Sequence, residues 1–311
     1  MRFGWWLITL VLALFAAEPG KPPRFIDRDG DLIADTPADP ARWLDPPTLV
    51  FSYAPHESPT IYQKDWEDFI RYLAKVTGRK VVYFPYQTGR AQLEAMRYGR
   101  LHVSGFSTGL TPQAVREAGF RPFVVMADAK GHWGYTMQII TYPGSGIETL
   151  EDIRGHTLLM TTPSSNSGCR LPRHLLSEKY GMEEGHDYFT LFSGSHGRSI
   201  RRIITHKYRV AAVAGSVLRR MRERGEIPPN AIRTIYRSRR FPTTAYGYRY
   251  DLKPDLAKRI EKAFLTFPWR TDGGPSSLQR EFKNKSRFVP VDYKEAWAPV
   301  RALSTGASQG R

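Results

Sequence analysis

Apolar positions in this chain follow two alternating patterns, short runs rich in β-branched and aromatic residues and longer stretches at helical spacing. Residues 48–53, TLVFSY, predict a strand, and the Pro- and Ser-containing residues 54–59 a loop. Over residues 61–77, Trp66, Phe69, Ile70, Leu73 and Val76 fall on one side of a helix that Gly78 stops. Residues 80–84 predict a second strand, 91–97 a helix and 101–103 a short strand. Strand, helix and strand at this cadence imply a parallel sheet covered by helices. A second series begins near Ile139. It has strands at 137–142, 157–161, 210–213 and 232–236, and helices at 149–153, 171–180, 199–205, 217–224 and 255–267. No internal repeat or low-complexity tract interrupts it. The fold class is α/β, two α/β units in series with the tail returning to the first.

The first residues depart from both patterns. Met1 and Arg2 supply a short positive end, residues 3–17 are apolar, and Glu18, Pro19 and Gly20 break the run. This describes a secretory signal peptide over 1–17. The alternative, a membrane anchor, needs about 20 apolar residues, more than this run contains. The mature protein is expected outside the cytoplasm, and with no cysteine near the cleavage region it should carry no lipid. Cys169 is the only cysteine in the chain, so an internal disulfide is excluded and the thiol is expected to serve as packing.

Residues 18–47 are rich in Pro and Asp and read as a linker or a wrapped extension. Within them Asp27, Asp29, Asp31 and Asp35 surround Gly30 at the alternating spacing that oxygen ligands of calcium adopt. The EF-hand pattern places glycine sixth and an acid twelfth, whereas here glycine is fourth and the twelfth residue is Ala38. A turn with solvated carboxylates is the expected outcome.

With 46 Lys and Arg against 30 Asp and Glu, the formal charge is +16. Such a field favours anions. Its local runs, near Arg198, Arg219 and Arg237, read as solvated exterior. No zinc-finger, helix-turn-helix or RNA-binding aromatic pattern accompanies them, so no nucleic-acid partner is expected.

Candidate chemistry concentrates in residues 161–172, TTPSSNSGCRLP, between a strand and a helix. Small hydroxyl residues and glycine let backbone N–H groups approach an anion, and a helix start presents unpaired donors at its positive end. Ser165, Asn166, Ser167 and Gly168 are the candidates. The same composition suits an ordinary N-capping loop, and the two readings remain level on this segment alone. A second loop, Phe192-Ser193-Gly194-Ser195-His196-Gly197, places a histidine just before another helix.

Taken together these words resemble a known family. Glu94-Ala95-Met96-Arg97, Gly105-Phe106-Ser107-Thr108-Gly109, Gly134-Tyr135, Ser165-Asn166-Ser167-Gly168 with Pro172, the Ser-Gly-Ser-His turn and Phe241-Pro242-Thr243-Thr244 follow in an order similar to that of phosphate-, phosphite- and phosphonate-binding periplasmic components of ABC transporters. The likeness spans residues 48–297. It implies a type II periplasmic binding fold with a hinge and a ligand cleft between two lobes. The lobes are expected at 48–137 plus 242–297 and at 138–241, with a tail at 298–311 and the hinge near residues 137–139 and 239–242. It further implies that Ser165, Asn166, Ser167 and His196 grip an oxyanion, Asn166 replacing the usual threonine, and that Phe106, Thr108 and Tyr135 add first-lobe contacts. Relatives that bind aminoalkyl phosphonates hold the ammonium with carboxylates, at positions that fall on Ser216 and Thr244 here. A buried ammonium without such a partner is costly, so the expected ligand is a phosphonate, phosphite or phosphate-like anion lacking an amine.

The expected role is non-enzymatic capture without a cofactor, by a monomer that delivers to an inner-membrane permease. The alternative is presentation of the oxyanion to a sensor kinase. A hydrolase using His196 with Ser195 or Ser167 is disfavoured, since neither a Gly-x-Ser-x-Gly word nor an acid-base-nucleophile set is present.

Overall fold

The computed structural model describes residues 25–57 and 62–305. The apolar segment 1–17 lies outside them. Among the described residues two large sheets form, one per lobe, besides a two-stranded ribbon of Arg270–Thr271 with Gly274–Pro275.

The first lobe is built from β1 (Thr48–Tyr53), α1 (Glu67–Thr77), β2 (Lys80–Tyr83), α2 (Gly89–Arg97), β3 (Val103–Phe106), α3 (Thr111–Ala118) and β4 (Phe120–Ala127). The second comprises β5 (Tyr135–Thr141), β6 (Thr157–Met160), α4 (Leu171–Tyr180), β7 (Phe189–Phe192), α5 (His196–Ile204), β8 (Val210–Ala214), α6 (Gly215–Glu223) and β9 (Arg233–Phe241). The chain then returns through β10 (Ala245–Arg249), α7 (Pro254–Leu265), β11 (Arg287–Pro290) and α8 (Ala298–Thr305). Strand order is β11-β4-β10-β3-β1-β2 in the first sheet and β7-β6-β8-β5-β9 in the second. β1, β2 and β3 run parallel, as do β6, β7 and β8. β10 is antiparallel to β3 and β4, and β5 to β8 and β9.

Local sequence explains these elements. α1 buries Phe69 and Leu73 and ends at Gly78, whose φ of 66° is left-handed and closes the helix onto Ala74 O. Its N-cap, Trp66, is fully buried among Phe51, Tyr53, Phe69 and Tyr246. The five residues of β8, VAAVA, are all buried, as a central parallel strand covered on both faces requires. α3 and β4 lie in a stretch to which the apolar pattern assigned nothing, because Arg121 and Pro122 interrupt the alternation of β4.

Two expectations shift, and a third is resolved between its alternatives. Residues 137–139 are interior to β5, Met137 pairing with Ala214, so the chain crosses between the sheets through 128–134 and 242–244. Residues 298–305 are not a free tail: α8 follows Trp297 directly, and Val300 is fully buried with Trp297 against the first lobe. The stretch after residue 25 does wrap that lobe, with Leu44 bridging to Leu252 and Arg121 donating to the Ala34 carbonyl.

In the acidic turn, the Asp27, Asp29 and Asp31 carboxylates come within 4.8 Å of one another, while Asp35 instead accepts from Arg28 N. The turn is closed from within. Asp27 accepts from Gly30 N and Leu32 N, Asp29 from Asp31 N and Asp31 from Ile33 N.

Candidate functional site

Parallel strands deliver their following loops to one edge of a sheet, and in an open α/β sheet ligands bind there. Here two such edges face each other. From the first lobe come His56 after β1 and Ser107, Thr108 and Gly109 after β3. From the second come Ser165, Asn166 and Ser167 after β6, His196 after β7 and Ser216 after β8. They enclose a cavity of about 60 Å³. That is room for on the order of five water molecules, the scale of a small tetrahedral ion.

Ser165, in extended conformation, caps a π-helical turn, Asn166–Arg170, by accepting from Gly168 N at 3.0 Å. Asn166 and Ser167 are the next two residues, so their N–H groups are the first of the helical stretch and have no intrahelical acceptor. Gly168 serves differently from the role expected. Its N–H is spent on the cap, and a Cβ there would lie 2.0 Å from Thr161 Oγ1, so packing against β6 demands glycine. The Asn166 side-chain amide meets Tyr135 OH at 3.2 Å.

His196 Nδ1 accepts from Ala214 N at 3.1 Å. In the neutral ring this fixes the remaining proton on Nε2, leaving a donor. The neutral form is the stable one, because burial, reinforced by the Arg220 charge, pulls His196 down to about 4. His56 lies 6.3 Å away ring to ring, and burial, then His196, holds it well below its ordinary value. His56 Nε2 meets Thr244 Oγ1 at 3.0 Å.

The cavity is also cationic. Arg219, Arg220 and Lys285 line it, and the described lining contains no carboxylate. Burial, and then Arg219, lowers Lys285; burial likewise lowers Arg219, which Arg220 adds to. Arg219 also pairs with Glu223 at 3.4 Å, which opposes its lowering.

Arg220 leads into the contact between lobes. It reaches Glu57 at 3.2 Å and Glu281 at 3.1 Å, and Arg224 binds the same two carboxylates. Tyr62 O–H donates to Glu57 Oε1 at 2.9 Å. The arginines belong to the second lobe and the acids to the first. Arg220 and Arg224 hold Glu57 ionised below its usual range, whereas burial wins at Glu281 and pushes it up. Two further contacts join the lobes: His196 N donates to His56 O at 3.2 Å, and Arg170 Nη1 to Gly109 O at 2.9 Å. At Gly109 the approach is so close that a Cβ would lie 2.2 Å from Ser164 O and 2.7 Å from Asn166 N.

Against known proteins, residues 51–297 match the family described as the periplasmic substrate-binding protein of ABC phosphonate transporters. The chain belongs to this family. A phosphate-import protein PhnD of Mycolicibacterium smegmatis is 21% identical over 265 residues, 82% of this chain and 81% of that protein. Among solved structures, a binding component of an ABC phosphonate transporter from Pseudomonas aeruginosa superposes with a TM-score of 0.74 at 21% identity, covering 85% of this chain and 88% of its own. A PhnD1 protein of Prochlorococcus marinus in complex with methylphosphonate gives 0.73 at 16% identity, covering 85% and 100%. The fold is the type II periplasmic binding arrangement. As a member of this family the protein is an exported substrate-binding component, with a small-molecule ligand and a membrane permease as partner.

Within that frame, the structure gathers Ser165, Asn166, Ser167, His196, Thr108, Tyr135, Ser216 and Thr244 around one cavity. Phe106 is a correction. It is fully buried in the first-lobe core, 4.8 Å from Phe120 ring to ring, because β3 is covered on both faces. Thr108 lines the cavity, yet its hydroxyl donates to Pro242 O at 2.7 Å at the crossing between lobes. His56, Arg219, Arg220 and Lys285 were not anticipated. The arginines carried a readable signal: Val217, Arg220, Met221 and Arg224 share a helical stripe, so two charges lie on a face destined for burial.

Asp65 adjoins the ion-pair cluster as a third acid facing two arginines. Burial, then repulsion from Glu281, raises it to about 7, and its Oδ2 is buried without a partner among the described residues. A raised carboxylate favours folding while protonated, and that advantage is lost as pH rises from about 4 through 7. Asp65→Asn should therefore melt above the wild type by a margin that widens from pH 5 to pH 8. Melting curves at the two pH values check this, and a constant margin would contradict it.

Proposed function

We propose that this protein captures a small tetrahedral oxyanion, a phosphonate, phosphite or phosphate-like ion lacking an amine, and delivers it to an ABC permease. The observation that carries the reading is a cavity of about 60 Å³ lined by Arg219, Arg220 and Lys285 and, among its described residues, by no carboxylate. Ser216 and Thr244 stand where an ammonium-binding relative would need acids. An ammonium there would meet only like charge, at a cost of several kcal/mol. An anion would instead meet Asn166 and Ser167 N–H, the serine hydroxyls and His196 Nε2–H. A few charge-assisted hydrogen bonds in a desolvated cleft support micromolar binding, about −8 kcal/mol.

Capture proceeds by closure of the lobes over the ion without covalent chemistry. Among the described residues no carboxylate hydrogen-bonds to either ring, His196 Nδ1 being taken by Ala214 N and His56 Nε2 by Thr244 Oγ1, which favours this over hydrolysis. Export through residues 1–17 as a cleaved signal peptide and action as a monomer complete the proposal.

Calorimetry and thermal shift against phosphate, phosphite, methylphosphonate, 2-aminoethylphosphonate, sulfate and arsenite test it. One or more of the first three should bind, and 2-aminoethylphosphonate should bind more weakly than methylphosphonate; preferential binding of the amine would overturn the assignment. Ser167→Ala and His196→Ala should each weaken binding by roughly tenfold to a hundredfold, the loss of one charge-assisted hydrogen bond. Gly109→Ala should weaken it at least as much, since its methyl group would meet Ser164 O and Asn166 N where the lobes touch. Unchanged affinity in all three variants would move the site elsewhere.

A further inference from the structure

Helix α6 sets out the length of the cavity. Ala214 N, at its start, donates to His196 Nδ1. β6 and β8 are neighbouring parallel strands, so the Ser165–Ser167 loop after one adjoins the start of α6 after the other. The neutral donors assigned to the oxyanion therefore gather at that end. Ser216 follows in the first turn, and Arg219, three residues on, shares its face of the helix. Arg219 stands about 7 Å further along the axis than Ala214. There it meets the first lobe, its Nη2 donating to Asn284 Oδ1 at 2.8 Å. Lys285 follows Asn284 directly, and Ser216, Arg219 and Lys285 all line the cavity.

This end carries more positive charge than its surroundings balance. Arg220 is occupied by Glu57 and Glu281. Arg219 pairs with Glu223 at 3.4 Å, and Lys285 Nζ donates to the His132 carbonyl at 3.5 Å. The acid that faces Lys285 is Asp128, which accepts from Lys130 N and His132 N and meets His132 Nδ1. Arg240 repels both cations. Three cations, Arg219, Arg240 and Lys285, thus stand against two acids, Glu223 and Asp128.

The chemistry of a substituent at this end is constrained. An ammonium would meet like charge, and an alkyl group would take water from the cations without replacing it. A carboxylate has two oxygens, so it can accept from Arg219 and Lys285 at once and from the Ser216 hydroxyl as well. Because Arg219 belongs to the second lobe and Lys285 to the first, such a group would also tie the two lobes together. Room is available: the side chain of Arg219 is 44% exposed, so this end opens toward solvent and a substituent can extend beyond the space filled by the head.

We propose that Ser216, Arg219 and Lys285 form a subsite for a carboxylate on the organic substituent of the ligand: the substrate class is a short phosphonocarboxylate. The proposal rests on the oxyanion reading above, which places the phosphonate head at Asn166, Ser167 and His196. Arg219 and Lys285 are then specificity-determining residues.

Calorimetry with methylphosphonate, and with phosphonoacetate and 3-phosphonopropionate each beside its carboxamide, tests it. Acid and amide differ little in shape, so their ratio isolates the charge. The wild type should bind at least one of the acids about tenfold or more tightly than its amide, the gain of a charge-assisted hydrogen bond. Raising the salt from about 0.05 to about 0.5 M should shrink that ratio, since half-exposed charges are screened. Lys285→Met and Arg219→Gln should each reduce it by about threefold or more, a change in preference that a uniform loss of affinity would not produce. Equal wild-type affinity for each acid and its amide, with methylphosphonate still bound, would overturn the subsite and spare the oxyanion reading. A preference that survives in both variants would overturn the assignment to these two cations. Failure of every ligand to bind would overturn both readings.

Discussion

Two buried acids of one lobe, Glu57 and Glu281, share two arginines of the other, Arg220 and Arg224, and the geometry of the cleft depends on that cluster. Burying ions is expensive, and a buried pair often contributes little net stability. What such a cluster does enforce is register, because losing one partner strands a buried charge at a cost of about 3–5 kcal/mol. The lobes can therefore approach only where four side chains meet. That approach brings Gly109 against Ser164 and Asn166, and His196 N onto His56 O. The cluster thus aligns two half-sites, neither of which holds all the donors.

The same cluster sets the electrostatics of the cavity. Arg220 is neutralised by its acids on one side and lines the ligand cavity on the other. After burial, its charge keeps His196 neutral and, behind His196 itself, helps keep His56 so; Ala214 N then selects the His196 tautomer that can donate. On the proposed reading, a neutral donor beside Arg219 and Lys285 would bind an anion without a proton being taken up. Charge supplies attraction, while the helix start after Ser165 and the fixed histidine supply direction.

Much of this was legible in the sequence, for identifiable reasons. α1 and β8 are unambiguous because burial of one face, or of both, writes periodicity directly into residue type. Ser165, Ser167 and His196 were singled out by loops whose composition suits N-capping equally well and by the family likeness; the structure brings all three to one cavity. Asn166 was found with them, but its contact to Tyr135 joins residues 31 apart in sequence and no local pattern records that. Phe106 went astray because a family word marks a neighbourhood, not the direction of a side chain in a strand buried on both faces. Arg220 and Arg224 could be read from their place on the buried stripe of Val217 and Met221, whereas Arg219 lies off that stripe and Lys285 lies in a turn with no periodic signal. Long-range pairing of charges, Glu57 with Arg220 above all, is a property of the closed fold and cannot be read from either segment alone.

The most direct test is the crystal structure of the protein with methylphosphonate bound. The account predicts closed lobes with the Glu57, Glu281, Arg220 and Arg224 cluster intact. The phosphonate oxygens should lie within hydrogen-bond distance of Asn166 N, Ser167 N and His196 Nε2. Density for the ligand away from this cavity, or closed lobes around it with His196 turned from the anion, would contradict the account.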